Sequence, residues 1–193
     1  MKTLATIIIT LVLVLGLGYL LFTKGNVTEE QKLANQPGDF SHVPTDEELR
    51  AGLANAGLDP LSAEGTVMHI HQHIDIVING QNIVIPAEVG FGKTVVSAIH
   101  THDTSGIIHV ESPVQKDFKL GQFFTEWGIK FDGNCVSTFC ADSSHKLVVG
   151  VNGSAISNPQ DYVLKAHDEI EIWYGSQSEN PTLIPSYTFT NGL

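Results

Sequence analysis

Histidines at alternate positions are the residues of this 193-residue chain whose spacing points to chemistry. Six of its nine histidines lie between positions 69 and 109. They are His69, His71 and His73 in one alternating row, His100 and His102 in a second, and His109 shortly after. Alternate residues of a β-strand point to the same face, so these segments predict rows of imidazoles on a sheet. Because neutral imidazole is a common metal ligand, the pattern favours a metal site.

Strand geometry limits how many of these histidines one ion can bind. Residues i and i+2 stand about 6.5–7 Å apart along a strand, within reach of one metal, whereas residues i and i+4 stand about 13 Å apart. One site is therefore expected to take two histidines of the first row and to be completed from His100, His102 or His109. This requires the first row to run beside the hairpin that carries His100, His102 and His109. The alternative is that all six form only the polar face of a half-exposed antiparallel sheet.

The chemistry of the ligands narrows the choice of metal. Imidazole suits zinc, copper, iron and nickel, and the chain has only two methionines for a thioether-rich Cu(I) site. Cu(II) or Zn(II) is therefore the expected ion. Glu111 shares a predicted strand face with His109, while Asp75 and Asp103 are candidates for orienting an imidazole. If the chain is an enzyme, Glu111 or Asp103 is the candidate general base. The remaining histidines, His42, His145 and His167, are expected to be solvated linker or turn residues.

The N-terminal segment is apolar enough to span a bilayer. Residues 4–22 carry no charge, and a helix of that length spans roughly 28 Å, close to the ~30 Å hydrocarbon core. No clear cleavage site follows, which favours an uncleaved single-pass anchor over a cleaved signal peptide. Lys2 precedes the segment and acidic residues follow it, so the N-terminus is expected in the cytoplasm and the domain outside, in the periplasm or extracellular space.

Charge and cysteine content bound the remaining partners. The net charge is −11, and phosphate binding needs clustered Lys and Arg, so no nucleic-acid partner is expected. Cys135 and Cys140 lie in one loop and are expected to form a disulfide in an oxidising compartment. A thiolate metal pair is the alternative, although a C-x-x-C spacing is absent.

Composition divides the chain into four segments. They are a transmembrane anchor or signal peptide at 1–23, a polar linker with a short helix at 24–65, a histidine-rich domain at 66–175, and a tail at 176–193 that either adds an edge strand or stays loose. The linker helix is expected to begin at a capping box formed by Thr45 and Glu48. In the domain, Asn79-Gly80 predicts a hairpin whose return strand is 82–86. Further strands are expected at 95–101, 107–112, 146–151 and 169–174, and a helix with core-facing aromatics is expected from Leu120 to Trp127.

This order of hairpin, helix and strands resembles the β-grasp fold of ubiquitin and its relatives. The local likeness covers residues 118–175 and is carried by VGVNGSAISNPQDYVLKAHDEIEIWYG. The resemblance implies an α+β, β-grasp-like mixed sheet with one packed helix, into which the histidine-bearing hairpin is inserted. The sequence ends Asn191-Gly192-Leu193, without the terminal Gly-Gly of the carrier proteins, so conjugation and sulfur carriage are not implied.

A second resemblance covers residues 68–128. The strings HIHQHIDIVINGQNIVIPAEVGF, HTHDTSGIIHVESP and FKLGQFFTEWG are similar to segments of an uncharacterised, histidine-rich family of exported or membrane-anchored bacterial and archaeal proteins. The string HTHDTSGIIH is its most specific motif. The resemblance implies export and a membrane anchor, but no activity.

Three functions are compatible with these observations. The first is a membrane-anchored extracytoplasmic protein that binds copper or zinc for delivery, sequestration or sensing. The second is a metal-dependent hydrolase or lyase, which requires an open coordination position beside a carboxylate. The third is a non-metal interaction module that binds a protein partner through a sheet edge or face. Histidine rows too far apart to converge would favour the third function.

Overall fold

The computed structural model describes residues 28, 31–33, 36–190, 192 and 193. The apolar segment 4–22, with its expected membrane helix, lies outside these residues. Among the helices that are described, none has the length and apolar character needed to cross a membrane. The described part is α+β, with a mixed sheet and few helices.

The helices and strands have the following bounds. Among the described residues, the helices with both ends defined are α1 (Asp46–Ala56), α2 (Leu120–Trp127) and a short 3₁₀ helix (Pro159–Asp161). The strands are β1 (Met68–Ile78), β2 (Gln81–Ile83), β3 (Ile99–His100), β4 (Ile107–Ser112), β5 (Cys135–Val136), β6 (Phe139–Cys140), β7 (His145–Val151), β8 (Ser154–Ala155) and β9 (Glu169–Ser176).

β1 lies at the centre of a seven-stranded sheet. The strand order is β3-β4-β1-β9-β7-β8, and β2 pairs with the end of β1. The first half of β1, Met68–His73, pairs antiparallel with β4, and the second half, His73–Ile78, pairs parallel with β9. β5 and β6 form a separate hairpin, which the disulfide between Cys135 and Cys140 closes. This mixed sheet is compatible with the fold expected from the sequence.

Asn-Gly turns join the strands of two hairpins, β1 to β2 and β7 to β8. Asn79 and Gly80 have φ values of 51° and 78° between β1 and β2, which is the geometry that Asn-Gly favours in two-residue hairpin loops. The return strand ends at Ile83 instead of Pro86. Gln36 explains the early end, because its side-chain amide hydrogen-bonds both the N–H and the C=O of Val84. Those backbone groups are therefore not available to the sheet.

The hydrophobic core lies between the sheet and the two helices. In α2 the aromatic side chains Phe123, Phe124 and Trp127 are fully buried, and the helix has the predicted bounds. The segment assigned to the linker also contributes to the core, through Phe40, Leu49, Leu53 and Leu58. The core therefore contains two helices instead of one, and α1 packs against α2. The capping box expected at the start of α1 is present, since the side chain of Thr45 accepts from the N–H of Glu48 and the side chain of Glu48 accepts from the N–H of Thr45.

Two segments form less strand than expected. The backbone N–H groups of Ser97 and Thr101 donate to carbonyls of residues 89–90, so β3 contains only Ile99 and His100. In the tail no strand is present among the described residues 177–190. The tail instead lies against the sheet, where the ring of Tyr187 stacks on His73 with 3.8 Å between ring centroids.

Candidate metal centre

Strand register brings histidines of three strands into one row. His71 of β1 is paired with His109 of β4, and His109 is paired with His100 of β3. Directly opposed residues of neighbouring antiparallel strands have Cβ atoms about 4.5–5.5 Å apart and share a face. The first histidine row therefore runs beside the later hairpin, which is the contact that a shared site requires.

Six side chains on this face form three pairs. The β1 pair is His69 and His71, the β3 pair is His100 and the adjoining His102, and the central pair is His109 and Glu111. We call the part of the sheet that carries these pairs the histidine face. The β1 pair and the central pair offer ligand atoms that all lie within 4.8 Å of one another, and so do the β3 pair and the central pair.

Distances within the pairs match those between two ligands on one ion. The Nε2 atoms of the β1 pair are 3.0 Å apart, and those of the β3 pair are 3.3 Å apart. Two nitrogens bound tetrahedrally at about 2.0–2.1 Å from zinc stand about 3.3 Å from each other. In the central pair, His109 Nδ1 lies 3.3 Å from Glu111 Oε1, which also lies 3.1 Å from His69 Nε2.

A tight turn brings His102 back over His109. Asp103 stabilises the turn by accepting a hydrogen bond of 2.8 Å from the N–H of Ser105. Gly106 then adopts a φ of 84°, and a Cβ at this position would lie 2.7 Å from the carbonyl oxygen of Ile74. Glycine therefore allows the hairpin to approach β1, and the rings of His102 and His109 come within 4.4 Å between centroids.

Glu64 is a member of the site that the sequence did not indicate. Its Oε1 lies 3.2 Å from His102 Nε2 and 3.5 Å from His100 Nε2. The neighbouring Gly65 lies so close to β4 that a Cβ there would be 2.0 Å from the carbonyl carbon of Ser112. Glu64 belongs to the segment assigned to the linker and has no patterned neighbours, so nothing in the sequence could have placed it beside the β3 pair.

The hydrogen bond from His100 to a backbone carbonyl leaves its other ring nitrogen available to a metal. His100 Nδ1 lies 3.0 Å from the carbonyl oxygen of Ser97, and a carbonyl can only accept, so Nδ1 carries the hydrogen. In the neutral ring this leaves a lone pair on Nε2, which faces His102 and Glu64. Ligating histidines characteristically donate their second ring nitrogen to a carbonyl or carboxylate in this way. The ring of Phe91 packs edge-on against His100, with centroids 5.4 Å apart.

Burial keeps the inner imidazoles neutral. It lowers the pKa of His100 to about 4 and, together with the neighbouring histidines, that of His109 to about 3. Burial and the proximity of His69 also lower the pKa of His71. Burial and the charge of Glu64 raise the pKa of Glu111. Because a metal ligand must present an unprotonated nitrogen, these rings are ready to bind at neutral pH.

His73 does not join the three pairs. Its Nδ1 lies 2.7 Å from Glu169 Oε2, and its Nε2 lies 3.0 Å from the carbonyl oxygen of Ser105. Burial alone would lower the pKa of His73, but the hydrogen bond and charge of Glu169 outweigh it and raise the pKa. His73, Asp75 and Glu169 are close enough to form a third candidate metal group. Since both ring nitrogens face acceptors, a protonated imidazole satisfies this position without a metal.

The other candidate residues lie outside the three pairs. Asp75 Oδ2 is 3.8 Å from His73 Nδ1, and Asp103 is exposed and bonded within its own turn. His42 and His167 are exposed, whereas His145 is half-buried and stacks on Tyr174. Cys135 and Cys140 are disulfide-bonded, so they offer no thiolate pair to a metal.

The three pairs thus place five imidazoles and a carboxylate on one face of the sheet, in groups that could hold a metal ion. The outer members, His69 and His102, are exposed, while the inner members are largely buried. A metal could therefore enter from one side and be held by rigid ligands on the other. Comparison with known proteins finds no family model, curated protein or solved structure that matches this chain.

Proposed function

We propose that this protein binds a divalent transition-metal ion, Zn(II) or Cu(II), on its histidine face. The observation that carries the proposal is the convergence of five imidazoles from three chain segments beside Glu111. Neutral nitrogen ligands with one carboxylate suit both ions. The strands that carry the inner ligands are fixed by the sheet, so the site is formed before the metal arrives.

We further propose that the protein works outside the cytoplasm, on a single-pass anchor formed by the segment 4–22. The uncharged length of that segment supports the anchor. The disulfide between Cys135 and Cys140 supports an oxidising compartment. In such a location the site would bind metal ions from outside the cell before they enter the cytoplasm, which fits sequestration, delivery or sensing.

We also assign the sheet to a β-grasp-like core with an insertion. The strands β2, β1, β9, β7 and β8 lie side by side in that order, and β1 runs parallel to β9. In this assignment β1, β2, α2, β7, β8 and β9 form the core, as the resemblance to ubiquitin-like domains implies. The inserted hairpin of β3 and β4 adds to the free edge along the first half of β1 and completes the metal centre.

Binding is better supported than the two alternative functions. An interaction module needs no convergence of the histidine rows, and here they converge. A hydrolase or lyase needs a general base beside the metal. Of the two candidates, Glu111 contacts His69 and His109 as a ligand would, and Asp103 is bonded to Ser105. We therefore place metal binding first.

Titration of the full-length chain in mild detergent, with Zn(II) alone and with Cu(II) alone, tests the proposal. Calorimetry is expected to show tight, saturable binding to the protein after treatment with EDTA. His109→Ala is expected to weaken binding strongly, because His109 belongs to both candidate groups. His145→Ala is the matched control and is expected to bind as the wild type does. Absence of saturable binding to the wild type would overturn the proposal.

A further inference from the structure

We propose that the histidine face holds two metal ions side by side, one at the β1 pair and one at the β3 pair, with the central pair between them. This inference rests on the proposed metal-binding function and goes beyond it in the number of ions. Its first support is the number of ligands. The three pairs offer six candidate ligands, and Glu64 adds a seventh, whereas Zn(II) usually takes about four.

The layout of the ligands favours two ions over one crowded ion. The candidate ligands fall into two groups of four that share only His109 and Glu111. Each group of four thus consists of one pair of its own, either the β1 pair or the β3 pair, and the shared central pair. His109 is in contact with both pairs, with ring centroids 4.6 Å from His71 and 4.4 Å from His102.

The central pair has unused capacity for two ions. His109 Nδ1 is buried and has no hydrogen-bond partner among the described residues, so this nitrogen is available as a ligand. Glu111 has two oxygens, and a carboxylate between paired metals commonly contacts both. Glu111 can therefore bridge two ions with its two oxygens. A neutral imidazole binds only one ion, so His109 serves both ions as an imidazolate, with one ion on each ring nitrogen and the ring proton released to solvent.

The carboxylates beside the histidines are also placed to offset the charge of two cations. Glu111 Oε1 lies 3.1 Å from the Nε2 of His69 in the β1 pair, and Glu64 Oε1 lies 3.2 Å from the Nε2 of His102 in the β3 pair. Each pair of imidazoles therefore has one carboxylate beside it. Two separated carboxylates offset the repulsion between two divalent ions better than a single carboxylate would. The net charge of −11 of the chain further lowers the electrostatic cost of binding two divalent cations.

The test is the Zn(II) stoichiometry of the full-length chain in detergent and of variants that remove one pair each. The wild type is expected to bind two Zn(II) per chain. The double variant His69→Ala/His71→Ala and the double variant His100→Ala/His102→Ala are each expected to bind one. The double variant His42→Ala/His145→Ala is the control and is expected to bind two. Circular dichroism of each variant checks that the fold is retained.

The outcomes separate the inference from the function on which it rests. One Zn(II) per wild-type chain, with binding lost in both pair variants, would overturn the two-ion inference and leave the metal-binding function intact. No binding at all would overturn both. If a pair variant does not fold, the wild type loaded with Cu(II) still decides. Two ions that share His109 and Glu111 are expected to give a spin-coupled electron paramagnetic resonance spectrum, whereas an uncoupled mononuclear spectrum at saturation would contradict the inference.

Discussion

Glu64 contributes a carboxylate to the β3 pair from a distant part of the chain. Its Oε1 contacts both imidazoles of that pair, so Glu64→Gln removes a negative charge and keeps the shape of the side chain. We expect Zn(II) affinity to fall about tenfold, at the low end of losses for groups that support metal ligands. Competition with a chelator would measure the change. Glu47→Gln, at an exposed position of α1, is the control, and equal affinities of the two variants would contradict a role for Glu64.

Gln72 is a polar side chain in an apolar position of β1. It is fully buried, and neither its Oε1 nor its Nε2 has a hydrogen-bond partner among the described residues. An unpaired buried polar group costs about 1–3 kcal/mol. Gln72→Met has nearly the same length and no such group, so we expect it to raise the free energy of unfolding by an amount in that range.

Urea denaturation of the metal-free protein would measure the effect of Gln72→Met. Gln81→Met, at an exposed position of β2, is the control and is expected to change stability by less than about 0.5 kcal/mol. A destabilised Gln72→Met variant would contradict the view that the buried amide is unpaired.

At the scale of elements, the turn after His102 couples stability to the metal centre. Gly80 and Gly106 both end hairpin turns with positive φ, but a Cβ at Gly80 would meet no atom within 4 Å, whereas one at Gly106 would lie 3.0 Å from His73 Nε2. Gly80→Ala therefore incurs only the backbone cost of a left-handed alanine, about 1–2 kcal/mol. Gly106→Ala must in addition push the hairpin away from β1.

We expect Gly106→Ala to lose more stability than Gly80→Ala and also to lose Zn(II) affinity, because His102 moves away from His109. Gly80→Ala is expected to keep the wild-type affinity. Thermal unfolding and calorimetric titration of both variants would measure the two effects. Equal losses in the two variants would show that the contact between this turn and β1 does not position the site.

Elements whose signals are local were predictable from the sequence. The helix α2 has its predicted bounds because apolar residues recur at helical spacing and Gly128 ends it with a φ of 79°. Asn79-Gly80 gave the first hairpin, since Asn-Gly readily adopts the positive φ values that the turn needs. The alternation of His69 and His71 correctly indicated a shared face, because side chains alternate along any strand.

Features that depend on distant contacts were not predictable. No turn joins β1 to β4, so the register that opposes His71 to His109 is fixed by the fold as a whole. Glu64 reaches the β3 pair from a segment with no periodic pattern. Glu169 pairs with His73 because β9 runs parallel to β1, and this contact removes His73 from the site that its spacing suggested.

At the scale of the whole molecule, β1 has a different role on each face of the sheet. On one face, Ile74, Ile76 and Ile78 are buried in the hydrophobic core. On the other, the β1 pair forms part of the histidine face. Ligands that stand on a strand anchored in the core cannot easily move apart. Burial makes the inner imidazoles costly to protonate, because a charged ring in the interior loses its hydration. Stability and metal binding should therefore depend on pH through the same residues.

His100 provides the clearest test of this dependence in the metal-free protein. Its side chain is fully buried, and burial lowers its pKa from 6.5 to about 4. Below pH 6.5 the unfolded chain binds a proton at His100 that the folded chain does not bind. The stability that the neutral, buried His100 contributes is therefore lost as the pH falls towards 4. The full loss corresponds to about 3 kcal/mol.

His100→Asn removes the titrating group and keeps an N–H that can donate to the carbonyl oxygen of Ser97. Urea denaturation of both proteins between pH 7 and 4, with EDTA present, is expected to show the wild type losing stability relative to the variant by up to about 3 kcal/mol as the pH falls. Groups that do not interact with His100, such as the buried Glu126 with its raised pKa, affect both proteins alike and cancel in the difference. His102 and Glu64 contact His100, so their interaction with it is part of the measured difference. A difference that stays constant with pH would show that His100 is not held neutral by burial.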